Sequence, residues 1–442
     1  MMNLLIPILS FVFALGVIIV VHEAGHLLVA KAFNVKVLTF SVGFGRKLWS
    51  VQRGETEYRV AAVPLGGYVR LGGENIEEAT GNDPREFLSK PRWQRILVYL
   101  AGPVMNVILA IAIFAGLFMV GIEVTNLTSI PPVIGEVDAG SSAAQAGLHR
   151  GDQIVTVKGK AVDDWMEVMM ELITSPGRPV PVGVKRGDKV FQVQLTPTRN
   201  PRDDSGDLAG LNPLFRPQIT QVLKDSPAQA AGFRAGDEVR TLAGKPVALD
   251  RDFVAEIGKR ANQPTEVQVM RDGKLLTLTV TPRLDEKDKA GRIGVGIGLF
   301  QRYSPGHAIV QSVKYNIQVV KGTFYVIGKI FTREVSAKSA LSGPIGIAVQ
   351  TGEAARMGFK QLLYLMGLLS ISIAVMNLLP IPILDGGQIS ILMVEEVIRR
   401  DLPLRMKEVI SQVGFVMILL LMFVVIWFDL MKHLPAKFLP GS

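Results

Sequence analysis

The chain has 442 residues, 48% of them hydrophobic and 20% charged, with no cysteine and a formal net charge of +9. That length exceeds one typical domain, and long apolar runs beside charged stretches predict membrane helices together with a water-exposed part. The lack of cysteine excludes disulfides and thiolate metal ligands, so any metal site here must be built from nitrogen and oxygen.

From Leu4 to Val21 there are 18 residues without charge, long enough for a membrane helix. The run leads into His22-Glu23-Ala24-Gly25-His26. Histidine and glutamate are costly in hydrocarbon and mark a functional site by default. On a helix, His22 and His26 are one turn apart on one face and can converge on a single metal ion. Glu23 beside them is placed to take a proton from water. With five histidines in the chain, the pattern is expected by chance only roughly 0.003 times. Residues 1 to 21 hold no Lys or Arg and no small-x-small site follows, which favours a retained helix over a cleaved signal.

Residues 35 to 72 read as three short strands, Val35 to Gly43, Lys47 to Gln52 and Glu57 to Val63, with a turn at Arg53-Gly54-Glu55. Gly43-Phe44-Gly45 and Pro64-Leu65-Gly66-Gly67-Tyr68-Val69 punctuate them. A free edge of this sheet can bind an extended peptide by strand addition; a purely structural plug carries equal weight. Residues 74 to 92 read as a surface loop. A second membrane helix follows from Trp93 to Ile122, with Gly102-Pro103 and Asn106 inside it. Proline and asparagine at membrane depth are tolerated where protein or water satisfies the freed groups, so this helix either faces the site or makes an ordinary interhelical bond.

Between Pro131 and Phe300 the chain repeats itself. Ser141-Ser142-Ala143 through Gly151-Asp152 matches Ser226-Pro227-Ala228 through Gly236-Asp237 at an offset of 85 residues. Arg186 and Arg271 share that offset, as do Thr196-Pro197 and Thr281-Pro282. Two copies of one small domain are implied, each with short strands, one helix (Val162 to Thr174; Asp250 to Ala261) and a hairpin. The order resembles the circularly permuted bacterial PDZ domain, which captures peptides on a sheet edge; Ser142 stands where proline is usual.

Residues 305 to 333 place Ile309, Val313, Ile317, Val320, Phe324 and Ile327 at helical spacing with Lys314, Lys321, Lys329 and Arg333 among them. A basic amphipathic helix of this kind lies in the membrane interface. Leu341 to Ile347 leads back towards the membrane. A third span runs from Gln361 to Leu379, followed by Pro380-Ile381-Pro382-Ile383-Leu384-Asp385-Gly386-Gly387, and a fourth from Gln412 to Leu430.

The connection from 31 to 95 holds eleven Lys and Arg residues, and the one between spans three and four holds Arg399, Arg400, Arg405 and Lys407. By the positive-inside rule both are cytoplasmic, and the repeats and both termini lie outside. The charge is therefore a topology signal and not a nucleic-acid footprint. His22 lies roughly 27 Å along its helix in a core about 30 Å thick, near the cytoplasmic end. If residues 305 to 333 do not cross, Asp385 arrives at the same depth and becomes the third ligand through carboxylate oxygen. On turn chemistry alone it would be a glycine-flanked turn aspartate. Pro380 and Pro382 free backbone ahead of it that can line a cavity. Asn377, a buried amide in this reading, either orients a substrate backbone or bonds a neighbouring helix.

Taken together, the His22–His26 motif, Gly66-Gly67-Tyr68, Gly102-Pro103 with Asn106, the paired repeats, Gly343-Pro344-Ile345-Gly346 and Asn377 through Asp385-Gly386 resemble the site-2 protease family. The match is to its two-PDZ, RseP-like (regulator of sigma-E protease) branch, over nearly the whole chain. Ala24 departs from the phenylalanine or leucine common at that position, a packing difference away from ligation. The resemblance implies a polytopic α-helical membrane protein with four transmembrane helices, a small membrane-associated β-sheet and two periplasmic α+β PDZ domains of the circularly permuted type. The expected division is 1–34 (first span), 35–92 (sheet and loop), 93–122 (second span), 123–215 and 216–303 (PDZ domains), 304–340 (interfacial helix), 341–387 (third span) and 388–442 (cytoplasmic loop and fourth span).

It also implies intramembrane proteolysis in a bacterial inner membrane. Zinc (Zn2+) would be held by His22, His26 and Asp385, with Glu23 as general base and later proton donor. Substrate contacts would fall to Asn377, Pro380, Pro382, Gly66 and Gly67. A helical substrate shields its peptide bonds and must unwind before hydrolysis. Expected substrates are single-pass proteins with cytoplasmic N-termini, already trimmed outside: a membrane-bound anti-sigma factor or remnant signal peptides. Two alternatives stand beside this reading, a zinc protease cutting juxtamembrane loops and a non-catalytic PDZ scaffold.

Overall fold

The computed structural model describes residues 2–74, 83–123, 130–200, 205–247, 249–285, 289–332, 335–336 and 342–433. Residues 75–82 of the expected surface loop, together with Arg333 and Leu341, lie outside them. The chain divides into two compact units, one of Met1–Leu117, Pro305–Tyr325 and Leu341–Ser442, the other of Phe118–Ser304 and Val326–Ala340. Among the described residues, four helical stretches are long and apolar enough to cross a membrane: Leu5–Ala32, Arg92–Val120, Phe359–Asn377 and Arg405–Met431. The chain is thus a membrane protein whose first unit joins apolar helices to a small sheet.

Helix α1 (Met2–Ala32) carries the histidine motif in its second half. Strands β1 (Val37–Arg53) and β2 (Thr56–Leu71) follow. Three short strands were expected here; instead two long ones fold back on themselves, because bulges around Gly43 and Gly45 bend β1 without ending it. Residues 37–42 pair on one side with 67–71 and on the other with 57–60, while 47–53 pair with 56–61. Gly67 to Leu71 is consequently an outer segment of the sheet, with one neighbour among the described residues. Val35, Val37, Leu71 and Phe87 pack with Leu27 of α1 and Val98 of α2 (Arg92–Val120), which seats the sheet on the helices.

In the second unit, the 85-residue offset is reproduced element by element. Helices α3 (Ser142–Gln145) and α4 (Trp165–Ile173) recur as α5 (Pro227–Ala230) and α6 (Asp250–Gly258). Strands Gln153–Val157, Val180–Arg186 and Lys189–Leu195 recur as Glu238–Leu242, Thr265–Arg271 and Lys274–Val280. Both longer helices are shorter than the sequence suggested. α4 starts only at Trp165 because Asp164 caps it, accepting from the Glu167 amide. Each copy has its own core, Ile154, Val168, Leu172 and Val182 in one and Val239, Phe253, Ile257 and Val267 in the other.

Helix α7 (Pro305–Phe331) is amphipathic: Ala308, Ser312 and Asn316 are buried, whereas Ile309, Val313, Ile317 and Phe324 are exposed. Tyr315 packs edge-on against Phe114 and hydrogen-bonds Tyr364. Helix α8 (Pro344–Met357) was not foreseen as an element. Its start is held by a distant residue, Asp429, which accepts from the Gly343 and Gly346 amides at 3.0 and 2.8 Å. A carboxylate there satisfies orphan donors and meets the positive end of the helix dipole. Helices α9 (Phe359–Asn377), α10 (Asp385–Ile398) and α11 (Leu404–His433) complete the described residues. Asp385 opens α10, and residues 388–398 are helical where a loop was expected.

Candidate metal centre

α1 supplies His22, Glu23 and His26, and α10 supplies Asp385 at its first position. The chain reaches Asp385 through a tight turn after α9. Gly386 and Gly387 are what allow it: a Cβ on Gly387 would lie 2.0 Å from the Ile381 carbonyl oxygen, and one on Gly386 2.3 Å from that of Leu378. The start of α10 therefore rests directly on the 378–382 backbone and turns its first carboxylate inward. Gln388 fastens the same turn by donating to the Pro382 carbonyl at 2.8 Å.

His22 Nε2 lies 3.2 Å from Asp385 Oδ2 and 3.2 Å from His26 Nε2, and His26 Nε2 lies 3.6 Å from Asp385 Oδ1. Ligand atoms about 2.0–2.2 Å from one tetrahedral zinc stand roughly 3.3–3.6 Å apart, so the donor set has the size of a zinc site. Both histidines are buried, at 8% and 9% exposure. α2 packs against them closely. A Cβ on its Gly102 would fall 2.3 Å from His26 Nε2 and 2.7 Å from His22 Nε2, so glycine keeps that space open beside both nitrogens. The Val98 carbonyl engages His26 Nδ1 at 2.8 Å, and the Asn106 amide lies 3.2 Å from His22 Nδ1. With both Nδ1 atoms occupied, both Nε2 atoms are left for a metal.

The centre opens into a cavity of about 1430 Å³. Glu23, Gly66, Gly67, Tyr68 and Asn377 line it with the three donors, and Lys407, Glu408 and Ser411 of α11 form part of its wall. Gly67 sits directly on Glu23, whose Cγ would be 3.0 Å from a Cβ placed there. Asn377 is half-buried at the cavity wall and not the fully buried amide the sequence suggested. Pro380 and Pro382 are not among the lining residues; Pro380 is exposed and Pro382 packs on Gly414.

Sequence reading missed several supporting residues. Asp429 is one; a lone carboxylate in an apolar span was the available signal. Glu395 is another, fully buried, paired with Lys407 at 2.6 Å and accepting from the Leu402 amide at 2.8 Å. Nothing in the local sequence of α10 announces that pair, since both its partners follow the helix.

Fold and site define a membrane metallopeptidase, with the residues that could hold a metal on α1 and α10. Residues 10–421 match the model of Peptidase family M50, and the chain belongs to that family, the site-2 type of metalloprotease. It is 32% identical over 447 residues to the regulator of sigma-E protease RseP of Salmonella typhimurium strain 14028s, covering 96% of this chain and 98% of that one. The protein of the same name from Escherichia coli K12 is 32% identical over 448 residues, with 96% and 98% covered. The protease RseP of Yersinia pestis is 32% identical over 446 residues, with the same coverage. Among solved structures, the PDZ domain of the SdrC-like protein of Listeria monocytogenes covers 21% of this chain and 93% of its own, at 24% identity and a TM-score of 0.17.

Proposed function

We propose that this protein is an intramembrane zinc endopeptidase that cuts transmembrane segments of single-pass proteins. The observation that carries the reading is the convergence of His22, His26 and Asp385 beside Glu23, at the end of a cavity flanked by an outer strand segment. His22, His26 and Asp385 would hold zinc. When bound, zinc supplies Lewis acidity to the scissile carbonyl and to the attacking water. Glu23 takes the proton from that water and returns it to the leaving amine. Gly67 to Leu71 accepts the unwound substrate as an added strand, which holds the scissile bond extended next to Glu23. Gly66 and Gly67 let the strand run close against Phe44 and Glu23, where a Cβ would clash, so that the substrate backbone lies beside Glu23, and Asn377 donates to that backbone from the cavity wall. Pro380 and Pro382 act by ending α9, so that Asp385 can turn inward.

The relatives' name, regulator of sigma-E protease, supports a substrate in sigma-E control, read as a membrane-bound anti-sigma factor; remnant signal peptides are the second proposed group. The two α+β repeats, 123–215 and 216–303, are read as permuted PDZ domains on the periplasmic side of a bacterial inner membrane. Both termini are assigned to that side, and 35–92 with the early part of 388–442 to the cytoplasmic side. Helix α7 (Pro305–Phe331) lies along the interface, and the PDZ pair excludes substrates whose outer domains have not been trimmed.

The test uses purified protein in vesicles and a single-pass reporter with its N-terminus inside and no outer domain. Wild type should release a product whose mass places the cut within the apolar segment, and Glu23→Gln should release at most a trace of it. A cut in the flanking loop would replace this reading with that of a juxtamembrane protease.

A further inference from the structure

α2 lays Val98, Gly102 and Asn106, spaced four apart on one helix face, against the two imidazoles. Two of the three engage a ring nitrogen. The Val98 carbonyl can only accept, so His26 Nδ1 carries a proton and Nε2 offers its lone pair. Asn106 is fully buried, and the Ser370 hydroxyl donates to its main-chain carbonyl at 2.8 Å, fixing that turn of α2 against α9. Its side chain reaches His22 Nδ1 at 3.2 Å through Nδ2, while Oδ1 is buried with no partner among the described residues.

An imidazole that ligates through Nε2 carries its proton on Nδ1. Nδ2 facing that proton would set donor against donor. The two ends of a carboxamide have the same shape, and turning it over puts the acceptor where the proton is. We propose that Asn106 is a positioning residue of the metal centre, its Oδ1 accepting from His22 Nδ1–H. This bond fixes the tautomer and ring plane that bring His22 Nε2 beside His26 Nε2 and Asp385. The inference rests on the reading of His22 as a metal ligand. Asn106 and Val98 then do the same work for the two histidines, one by side chain and the other by backbone.

Zinc affinity of the full-length protein in detergent, measured by competition with a chelator, tests it without recourse to activity. Asn106→Leu keeps the shape and removes the acceptor, and should weaken zinc binding by about 10–100-fold. Asn106→Asp keeps only acceptors, and should hold zinc far better than Asn106→Leu. Equal weakening in both variants, or none in Asn106→Leu, would overturn the proposal. Nitrogen-15 spectra of the histidines in zinc-loaded wild type check the same point without any substitution. A protonated Nδ1 on His22 is expected, and ligation through Nδ1 refutes the assignment. If wild type binds no zinc, or His22→Ala binds it as tightly, the metal reading itself fails, an outcome distinct from failure of the Asn106 role alone.

Discussion

Asp152 and Asp385 are carboxylates largely withdrawn from water, with side chains 2% and 16% exposed, and they differ in what surrounds them. In the first repeat, Arg186 donates to both oxygens of Asp152 at 2.6 Å and also to the Gly147 carbonyl, while the His149 amide donates to Oδ2. The second repeat copies this with Arg271, Asp237, Gly232 and Arg234 at nearly the same distances. Each of these carboxylates is neutralised by a bidentate guanidinium and belongs to a structural clasp. Asp385 has instead two imidazoles at 3.2 and 3.6 Å, a cavity in front of it and a glycine clearing space beside the same nitrogens. A satisfied cluster stabilises; a cluster of convergent lone pairs with room left between them is built to bind something else.

That contrast breaks most sharply at Glu23. Glu23→Gln should lower cleavage by about 10²–10⁴-fold while leaving zinc content intact, as read by product mass and metal analysis. A loss of metal instead would move Glu23 into the ligand set. Next comes Gly102→Ala, whose new methyl would sit 2.3 Å from His26 Nε2. Stoichiometric zinc should be lost in that variant, with both clasps unaffected by hydrogen exchange.

On the clasp side, Arg271→Ala leaves Asp237 fully buried and unpaired, and should destabilise the second repeat by about 3–5 kcal/mol. Hydrogen exchange of the 265–280 hairpin measures it, and metal content should not change. Arg186, more exposed, should cost less in the first repeat.

Titration gives a smaller effect. The Arg186 guanidinium, opposed by burial and helped by the His149 amide, holds the Asp152 carboxyl below the ordinary carboxylate range. A pKa depressed by folding adds stability above the unfolded value and loses it as pH falls through the folded one. Protection of the first repeat should thus be level from neutral pH down to about 4 and decline below that. A decline centred near pH 6 would contradict the assignment. Smallest of all, Arg251→Ala removes surface contacts to Glu136 and Asp138 at 3.1 and 3.2 Å, and should lower stability only slightly, the difference vanishing at high salt.

Much of this was legible in the sequence, and for definable reasons. The spacing of His22 and His26, the charge-free run before them and the 85-residue repeat are local or periodic signals. The backbone converts such signals directly into helix faces and duplicated domains. Asp385 was reached by counting spans, a global argument that needed only the parity of crossings. Other features required the folded chain. β1 and β2 read as three strands because glycines that end a strand and glycines that bulge it look alike in one dimension. α8 was invisible because its start is completed by Asp429, 83 residues after Gly346. The role of Asn106 depends on which neighbour lies 3.2 Å away, and no sequence pattern carries that distance. The identity of the candidate donors was written in the chain. Ligand orientation was decided by packing, because a hydrogen-bond partner is chosen by proximity in space and not by separation in sequence.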